Sequence, residues 1–314
     1  MEILIFGAGV IGTIYGHVLA QAGNTVTHYV RRSKKRMLES GIEIELLDGR
    51  TKPFQERSFT YNPRLTEELS ADHRYDLCIV SVRHYQLSSV IPILQNQIGD
   101  TDVLFFNGMW KGLDEINRYI RPSQYLWGFP VAGGGFDGQR LNAALLGEIH
   151  IGELNGESTT RLQHIKELFQ QVNIKVDVQP NMLHWLWVHF AINCGVIGAA
   201  FEAGGATELL NSIRNLQKAI LAGRDALSVC QARGVNVASF QDARSFSLPS
   251  LLGALTVWLM MKTNKPARRI FETHTAIDEL QMMYNDVLRT GKELNVPMPN
   301  YLLLEKSVND PDFH

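Results

Sequence analysis

The sequence reads as α/β, a doubly wound parallel sheet followed by an all-helical second domain. Three observations predict this. The chain opens with an apolar run, Met1 to Phe6, that enters Gly7-Ala8-Gly9-Val10-Ile11-Gly12 and then a small-residue helical segment, 13–22. Strand-like apolar runs and helix-spaced segments then alternate as far as residue 179, the pattern of parallel strands with crossover helices. From Pro180 onward the apolar spacing is helical and strand signals are few.

Each glycine of the opening loop has a physical task. Gly7 permits the sharp strand-to-helix turn, Gly9 lets backbone approach a pyrophosphate, and Gly12 lets the helix lie close to the sheet. Amides at the helix start then face phosphate, aided by the helix dipole. Gly7, Ala8, Gly9, Val10, Ile11 and Gly12 are therefore expected to hold a dinucleotide, in a Rossmann-type unit. A second strand, 24–30, follows the helix stop at Ala22-Gly23. An NAD site usually ends this strand in Asp or Glu, whereas an NADP site offers arginine. Here the chain reads Arg31-Arg32-Ser33-Lys34-Lys35-Arg36, with no acid before Glu39. That predicts NADP, with Arg31 or Arg32 clamping the 2′-phosphate.

Further along, 75–82 and 102–106 read as apolar strands around a helix over 86–97. A helix over 112–120 and a short strand over 125–128 follow. Late strands over 148–152 and 174–178, with a helix over 159–172 between them, close the first domain. The boundary falls at Gln179-Pro180-Asn181, where proline breaks the strand and asparagine can cap a helix, giving domains 1–179 and 180–314. Helices are expected over 182–200, 206–233, 240–262 and 274–294, and the tail 309–314 is expected to fray.

Composition narrows the function classes. At 314 residues two domains are the natural expectation, and 45% apolar with 20% charged residues describes an ordinary globular protein. The net charge of −2 gives no footprint for nucleic acid. No apolar stretch reads as long enough for a membrane span, and no signal segment is read at the N-terminus. Cys78, Cys194 and Cys230 are odd in number and scattered through apolar context. They suit reduced thiols in a cytoplasmic protein, with neither disulfide nor zinc spacing, so no metal is expected.

Chemistry is expected in the helical half. His184-Trp185-Leu186-Trp187-Val188-His189-Phe190-Ala191-Ile192-Asn193-Cys194 places His189 and Asn193 on one helix face. A polar pair in an apolar helix must find partners or face a cleft. It reads either as a satisfied core pair or as a wall donating a proton and a hydrogen bond to substrate. Glu279 lies in an acidic first turn, where dipole-complementing surface acids are common. The basic stretch 262–269, beginning at Lys262, is a solvated loop or an attractor of an anionic substrate.

Together these residues resemble the ketopantoate reductase (2-dehydropantoate 2-reductase) family over most of the chain. Gly7 to Gly12 match the family's dinucleotide loop, and Arg31 falls at its 2′-phosphate arginine. Val80-Ser81-Val82-Arg83-His84-Tyr85-Gln86 is similar to the segment in which a lysine and a glutamine reach the cofactor, with Arg83 in place of the lysine and Gln86 kept. Phe106-Asn107-Gly108-Met109 matches an Asn-Gly-Met motif, which implies that Asn107 sits between nicotinamide and substrate. Gly133 to Gly138 resemble a loop beneath the cofactor, implying a cofactor role for Gly134. Leu294-Asn295-Val296-Pro297-Met298-Pro299 resembles the C-terminal proline motif, and counting back from it puts Glu279 on the family's functional glutamate. The departures are equally specific. His189, Asn193 and Ile197 stand where the family has a catalytic lysine and two asparagines, and the Ser-Ser-Met segment that helps hold the substrate carboxylate is absent, with Lys262-Thr263 in that neighbourhood.

The resemblance implies an NADPH-dependent reductase of a small 2-oxo acid or related carbonyl compound. His189 would replace the lysine as proton donor, an unperturbed imidazole having a pKa near 6.5. Asn193 would orient the substrate and Lys262 contact it, with Glu279 as a further catalytic residue across the cleft. The alternative is a non-catalytic NADP(H)-binding sensor or partner-binding protein on the same fold. The long apolar helix over 240–262 suggests a homodimer.

Overall fold

The opening apolar run becomes strand β1 (Glu2–Phe6), almost wholly buried, and the glycine loop leads directly into α1 (Val10–Gln21). The structure is a computed structural model that describes residues 1–69 and 74–311. It divides into two units, Met1–Leu183 and His184–His314. Three residues of the expected frayed tail, 312–314, lie outside the described part.

In the first unit, β2 (Thr25–Tyr29) and α2 (Arg32–Leu38) follow α1. Then come β3 (Ile42–Gly49), β4 (Gln55–Tyr61), β5 (Arg64–Thr66), β6 (Leu77–Val80), α3 (Leu87–Gln97) and β7 (Asp102–Phe106). The short α4 (Asp114–Asn117) precedes β8 (Tyr125–Asp137) and β9 (Arg140–Gly152), and α5 (Thr160–Gln170) precedes β10 (Lys175–Val178). Among the described residues the ten strands form one sheet in the order β4-β3-β9-β8-β7-β6-β1-β2-β5, with β10 on β9. The pairings are parallel except β3 with β4 and β8 with β9. The predicted α/β class is therefore present, with an antiparallel extension that its strand–helix alternation does not announce.

That extension changes the shape of the unit. Strands β4 and β5 are opposite edges of the sheet, yet only Asn62 and Pro63 separate them in sequence. Such a link reaches about 11 Å at most, so the sheet must roll until its edges approach. Helix α1 is buried along Gly12, Thr13, Ile14, Tyr15, Gly16, Val18 and Leu19. Tyr15 meets Phe106 edge-on at 4.8 Å and Phe169 at 5.9 Å. At the start of α5, Arg161 donates to Glu153 through Nε at 2.8 Å and to the Tyr125 carbonyl at 3.0 Å. Thr159 caps the same helix and donates to the Glu153 carboxylate.

The second unit is helical. Its elements are α6 (Met182–Ala203, whose first two residues precede the division), α7 (Ala206–Leu210), α8 (Ile213–Ala232), α9 (Arg244–Ser247), α10 (Ser250–Thr263), α11 (Lys265–Glu272), α12 (Ile277–Glu293), α13 (Pro299–Leu302) and α14 (Glu305–Val308). Gly195 and Gly223 face each other where α6 crosses α8, leaving no room for a Cβ. Tyr284 and Tyr301 stack at 4.2 Å, and Asp225 accepts the amides of Asn300 and Tyr301 at 2.6 and 3.0 Å, fixing the segment after the proline motif.

Several expectations need correction. The helix expected over 112–120 shrinks to α4, and the one expected over 206–233 is two helices, α7 and α8, with Asn211 and Ser212 between them. The helix expected over 240–262 is broken, because Leu248 and Pro249 leave helical geometry between α9 and α10. The glycines 133–135 lie inside β8, and the turn begins only after Asp137. Finally, among the described residues one helix does reach the length and apolarity of a membrane span. An 18-residue window of α6 has mean hydropathy 1.4, but 61% of that window is buried within the protein, as in a core helix.

Candidate functional site

The first unit gathers its candidate residues at the carboxyl ends of β1, β6, β7 and β2. From β1 the chain passes to β2 on one side, and β6 joins later on the other, so a topological switch point lies between β1 and β6. Gly7 leaves β1 with φ +114°, a region costly for other residues. Its amide donates to the Tyr29 carbonyl at 3.1 Å. Gly9 is the N-cap of α1 with no side-chain cap, and open space lies where its Cβ would stand. Ala8, Val10 and Ile11 pack partly against the core. A Cβ on Gly12 would come within 2.6 Å of the Gly7 carbonyl and 2.8 Å of Ser81 Oγ, so the helix start presses on both strands.

Buried polar atoms surround this loop. Ser81 Oγ at the end of β6 has no partner among the described residues. Asn107, 8% exposed just beyond β7, donates through Nδ2 to the Val82 carbonyl at 2.8 Å. Its own carbonyl accepts from Trp127 Nε1 at 2.9 Å. Two bonds thus fix Asn107, while its Oδ1 has no partner among the described residues. A buried acceptor without a donor is costly, and a glycine-capped helix start with no acid in its first turn suits an anion. The cradle fits a dinucleotide, with the glycine loop at the phosphates and Asn107 as an acceptor beside it.

Arg31 caps α2 and Arg32 begins it, both exposed at the end of β2. Arg83 N–H donates to Gln86 Oε1 at 3.3 Å, and the Arg83 guanidinium donates to Tyr85 OH at 2.7 Å, so these two residues form one turn after β6. Gly134 stands apart from that group, six residues along β8 from Gly128, which pairs with the end of β7. Asn142 O and Ala143 occupy the place of its Cβ, so strand pairing itself demands glycine there.

In the second unit, His189 is half-buried on α6 and stacks on Trp185 at 4.8 Å, with planes 12° apart. Its Nδ1 lies 3.1 Å from Asp242 Oδ2. Asp242 sits in the short turn Gln241–Ala243 before α9 and is a residue the sequence reading misses. An aspartate opening a helical run was the available signal. Asn193 lies one turn beyond His189, and Ile197 is buried. Glu279 is in the first turn of α12, and Lys262 is exposed in the last turn of α10, 5.4 Å over Trp258. The structure joins His189 to Asp242. Asn193, Glu279 and Lys262 come from the same unit but from separate elements or turns. No group of three or more metal-binding side chains occurs among the described residues.

Residues 3–156, which contain the glycine loop, Arg31, Arg83 and Asn107, match the family model for ketopantoate reductase PanE/ApbA. Over that span, just under half of the chain, the sequence is similar to the ketopantoate reductase family. Curated relatives agree. An uncharacterized oxidoreductase, YkpB, of Bacillus subtilis is 26% identical over 201 residues, 60% of each chain. A 2-dehydropantoate 2-reductase of Pyrococcus horikoshii is 25% identical over 216 residues, 64% of each. The chain thus spans somewhat under two thirds of the length of the relatives it matches. Solved structures extend the likeness in fold. The 2-dehydropantoate 2-reductase of Geobacter metallireducens is 15% identical with a TM-score of 0.73, covering 98% of this chain and 99% of that one. D-mandelate dehydrogenase with NADH and anilino(oxo)acetate is 16% identical with a TM-score of 0.71, covering 98% and 97%.

Proposed function

We propose that this chain is a member of that family and an NADPH-dependent reductase of a small 2-oxo acid or related carbonyl compound. The observation that carries the reading is the cradle of the first unit, where the glycine loop and the unpartnered Asn107 Oδ1 meet at the switch point. Arg31 and Arg32, with no acid at the end of β2, favour the 2′-phosphate. A bound nicotinamide would supply hydride. This chain supplies the orientation through Asn107 and the proton through His189. Asp242 accepts from Nδ1–H and so sets the tautomer in which Nε2 exchanges the proton. Asn193, Lys262 and Glu279 are assigned to holding the substrate.

A screen of purified protein with NADPH and NADH against a panel of 2-oxo acids tests this, and ketopantoate and aryl 2-oxo acids both belong in the panel. Oxidation of NADPH that depends on the added acid is expected. Cofactor binding without turnover across the whole panel would assign the chain instead to a non-catalytic NADP(H)-binding role, the reading that the loss of the family lysine favours. A homodimer is proposed from α10, where Leu251, Leu252, Leu255 and Leu259 are 38 to 59% exposed.

A further inference from the structure

We infer that His28 is a positioning residue for the nucleotide loop, holding the Gly7 carbonyl against the rolled edge of the sheet. The inference rests on the glycine loop being the cofactor site, as proposed above. His28 lies on β2 with 0% exposure. Its Nδ1 is 3.1 Å from the Gly7 carbonyl and its Nε2 is 3.0 Å from Tyr61 OH. A carbonyl only accepts, so Nδ1 carries the hydrogen, and neutral Nε2 accepts from the tyrosine hydroxyl. This tautomer is assigned from the two partners and satisfies both contacts. Burial keeps the ring neutral, pushing its pKa down to about 4.

The geometry around the ring is built for it. A Cβ on Gly16 would overlap His28 Nε2, so the glycine of α1 makes the hollow in which the imidazole sits. Tyr61 is the last residue of β4, at the edge opposite β5, and only the rolling of the sheet brings it to β2. One side chain therefore ties three places together: the loop after β1, the strand β2 and the far edge. Gly7 has the widest conformational freedom of any residue type and sits at positive φ. Unrestrained, that peptide would lose much entropy on binding a phosphate. A bond that fixes its carbonyl beforehand lowers that loss.

Two substitutions separate the two ring nitrogens. His28→Asn keeps an N–H where Nδ1 stood and loses the reach to Tyr61. His28→Gln keeps a polar atom where Nε2 stood and loses the bond to Gly7. The readouts are the dissociation constant for NADPH, from its fluorescence change, and the melting temperature. His28→Gln is expected to weaken NADPH binding about tenfold, the effect of one lost hydrogen bond, with His28→Asn close to wild type. Equal weakening in both variants, or lowered melting temperatures with unchanged binding, would show that His28 only packs the core. Should neither variant fold, Tyr61→Phe decides, because it removes the Nε2 partner and leaves the bond to Gly7. An Nδ1–H tautomer kept in that variant, read from the ring nitrogen shifts, with NADPH binding close to wild type supports positioning through Gly7, and a ring that moves its hydrogen to Nε2 with binding unchanged overturns it. Wild-type protein that binds neither NADPH nor NADH would remove the cofactor reading first and this inference with it. Normal wild-type binding with indifferent His28 variants removes this inference alone.

Discussion

At the end of β2, Arg31 stands at the N-cap position of α2 with an exposed guanidinium, a cation placed to bond a ligand phosphate. Losing one charge-assisted bond costs roughly 1.5 to 3 kcal/mol, about ten- to a hundredfold in affinity. Arg31→Ala should therefore weaken NADPH binding on that scale and leave NADH nearly unchanged, as parallel titrations would show. Tighter binding of NADH than of NADPH by wild type would refute the 2′-phosphate assignment. His189 carries the second prediction at this scale. General acid catalysis is worth about 10²- to 10⁴-fold, so His189→Ala should lose kcat in that range with NADPH binding intact. Asp242→Asn should lower kcat more than it raises KM, because it disturbs the tautomer and leaves the substrate contacts in place. If His189→Ala turns over like wild type, the histidine is a packed core residue stacked on Trp185.

Elements show where the sequence was transparent and where it was opaque. The unit from β1 through α1 was legible because each glycine there answers a local need of backbone or packing, readable from spacing alone. The hairpin of β8 and β9 was not. Pro130 and Gly133 to Gly135 look like loop residues, but Pro130 sits beside a bulge and Gly134 is required by the closeness of Asn142 and Ala143 on the other strand. Long-range pairing imposes such demands, so local pattern cannot reveal them. Strand β3 alternates Ile42, Ile44 and Leu46 inward with Glu43 and Glu45 outward, a period-2 signal that the strand–helix alternation masked. Asp242 escaped for a related reason, since its role appears only when its turn is set beside α6. The join of β9 to α5 yields a stability prediction. Glu153 is 3% exposed and Arg161 holds it, so Glu153→Gln leaves a largely covered guanidinium with only the more distant Asp102 carboxylate, at 3.7 Å, and should cost about 3 kcal/mol in denaturant unfolding. Asp100→Asn removes a pair with Arg121 that lies in solvent and should cost about 1 kcal/mol or less. Similar losses in the two variants would contradict the burial argument. On α10, Leu255→Lys with Leu259→Lys should shift sedimentation from dimer to monomer without lowering helicity. An unchanged sedimentation coefficient would assign that stripe to another role.

For the whole molecule, two imidazoles, His28 buried and His17 half-buried, set an acid limit. Burial pushes both His17 and His28 down to about 4. Between pH 6.5 and 4 the unfolded chain binds protons that the folded state refuses, so stability falls as pH drops through that window and levels off below it. His28 is fully buried, and its shift corresponds to roughly 3 kcal/mol at about 1.4 kcal/mol per pKa unit. Denaturant unfolding at pH 7, 5.5 and 4.5 should show this slope, and His28→Asn should flatten part of it. Parallel slopes in the two proteins would mean that carboxylates alone set the acid limit. The rolled sheet has a further consequence, for association between chains. An open sheet of this size would leave two bare edges as templates for another strand. Here the edge strands β5 and β10 are three and four residues long, and β4 presents Gln55, Glu56, Arg57 and Ser58 outward. Because Asn62 and Pro63 draw β4 and β5 together, a foreign strand meets charge or a short stub at each edge, and the fold carries its own guard against strand-to-strand aggregation.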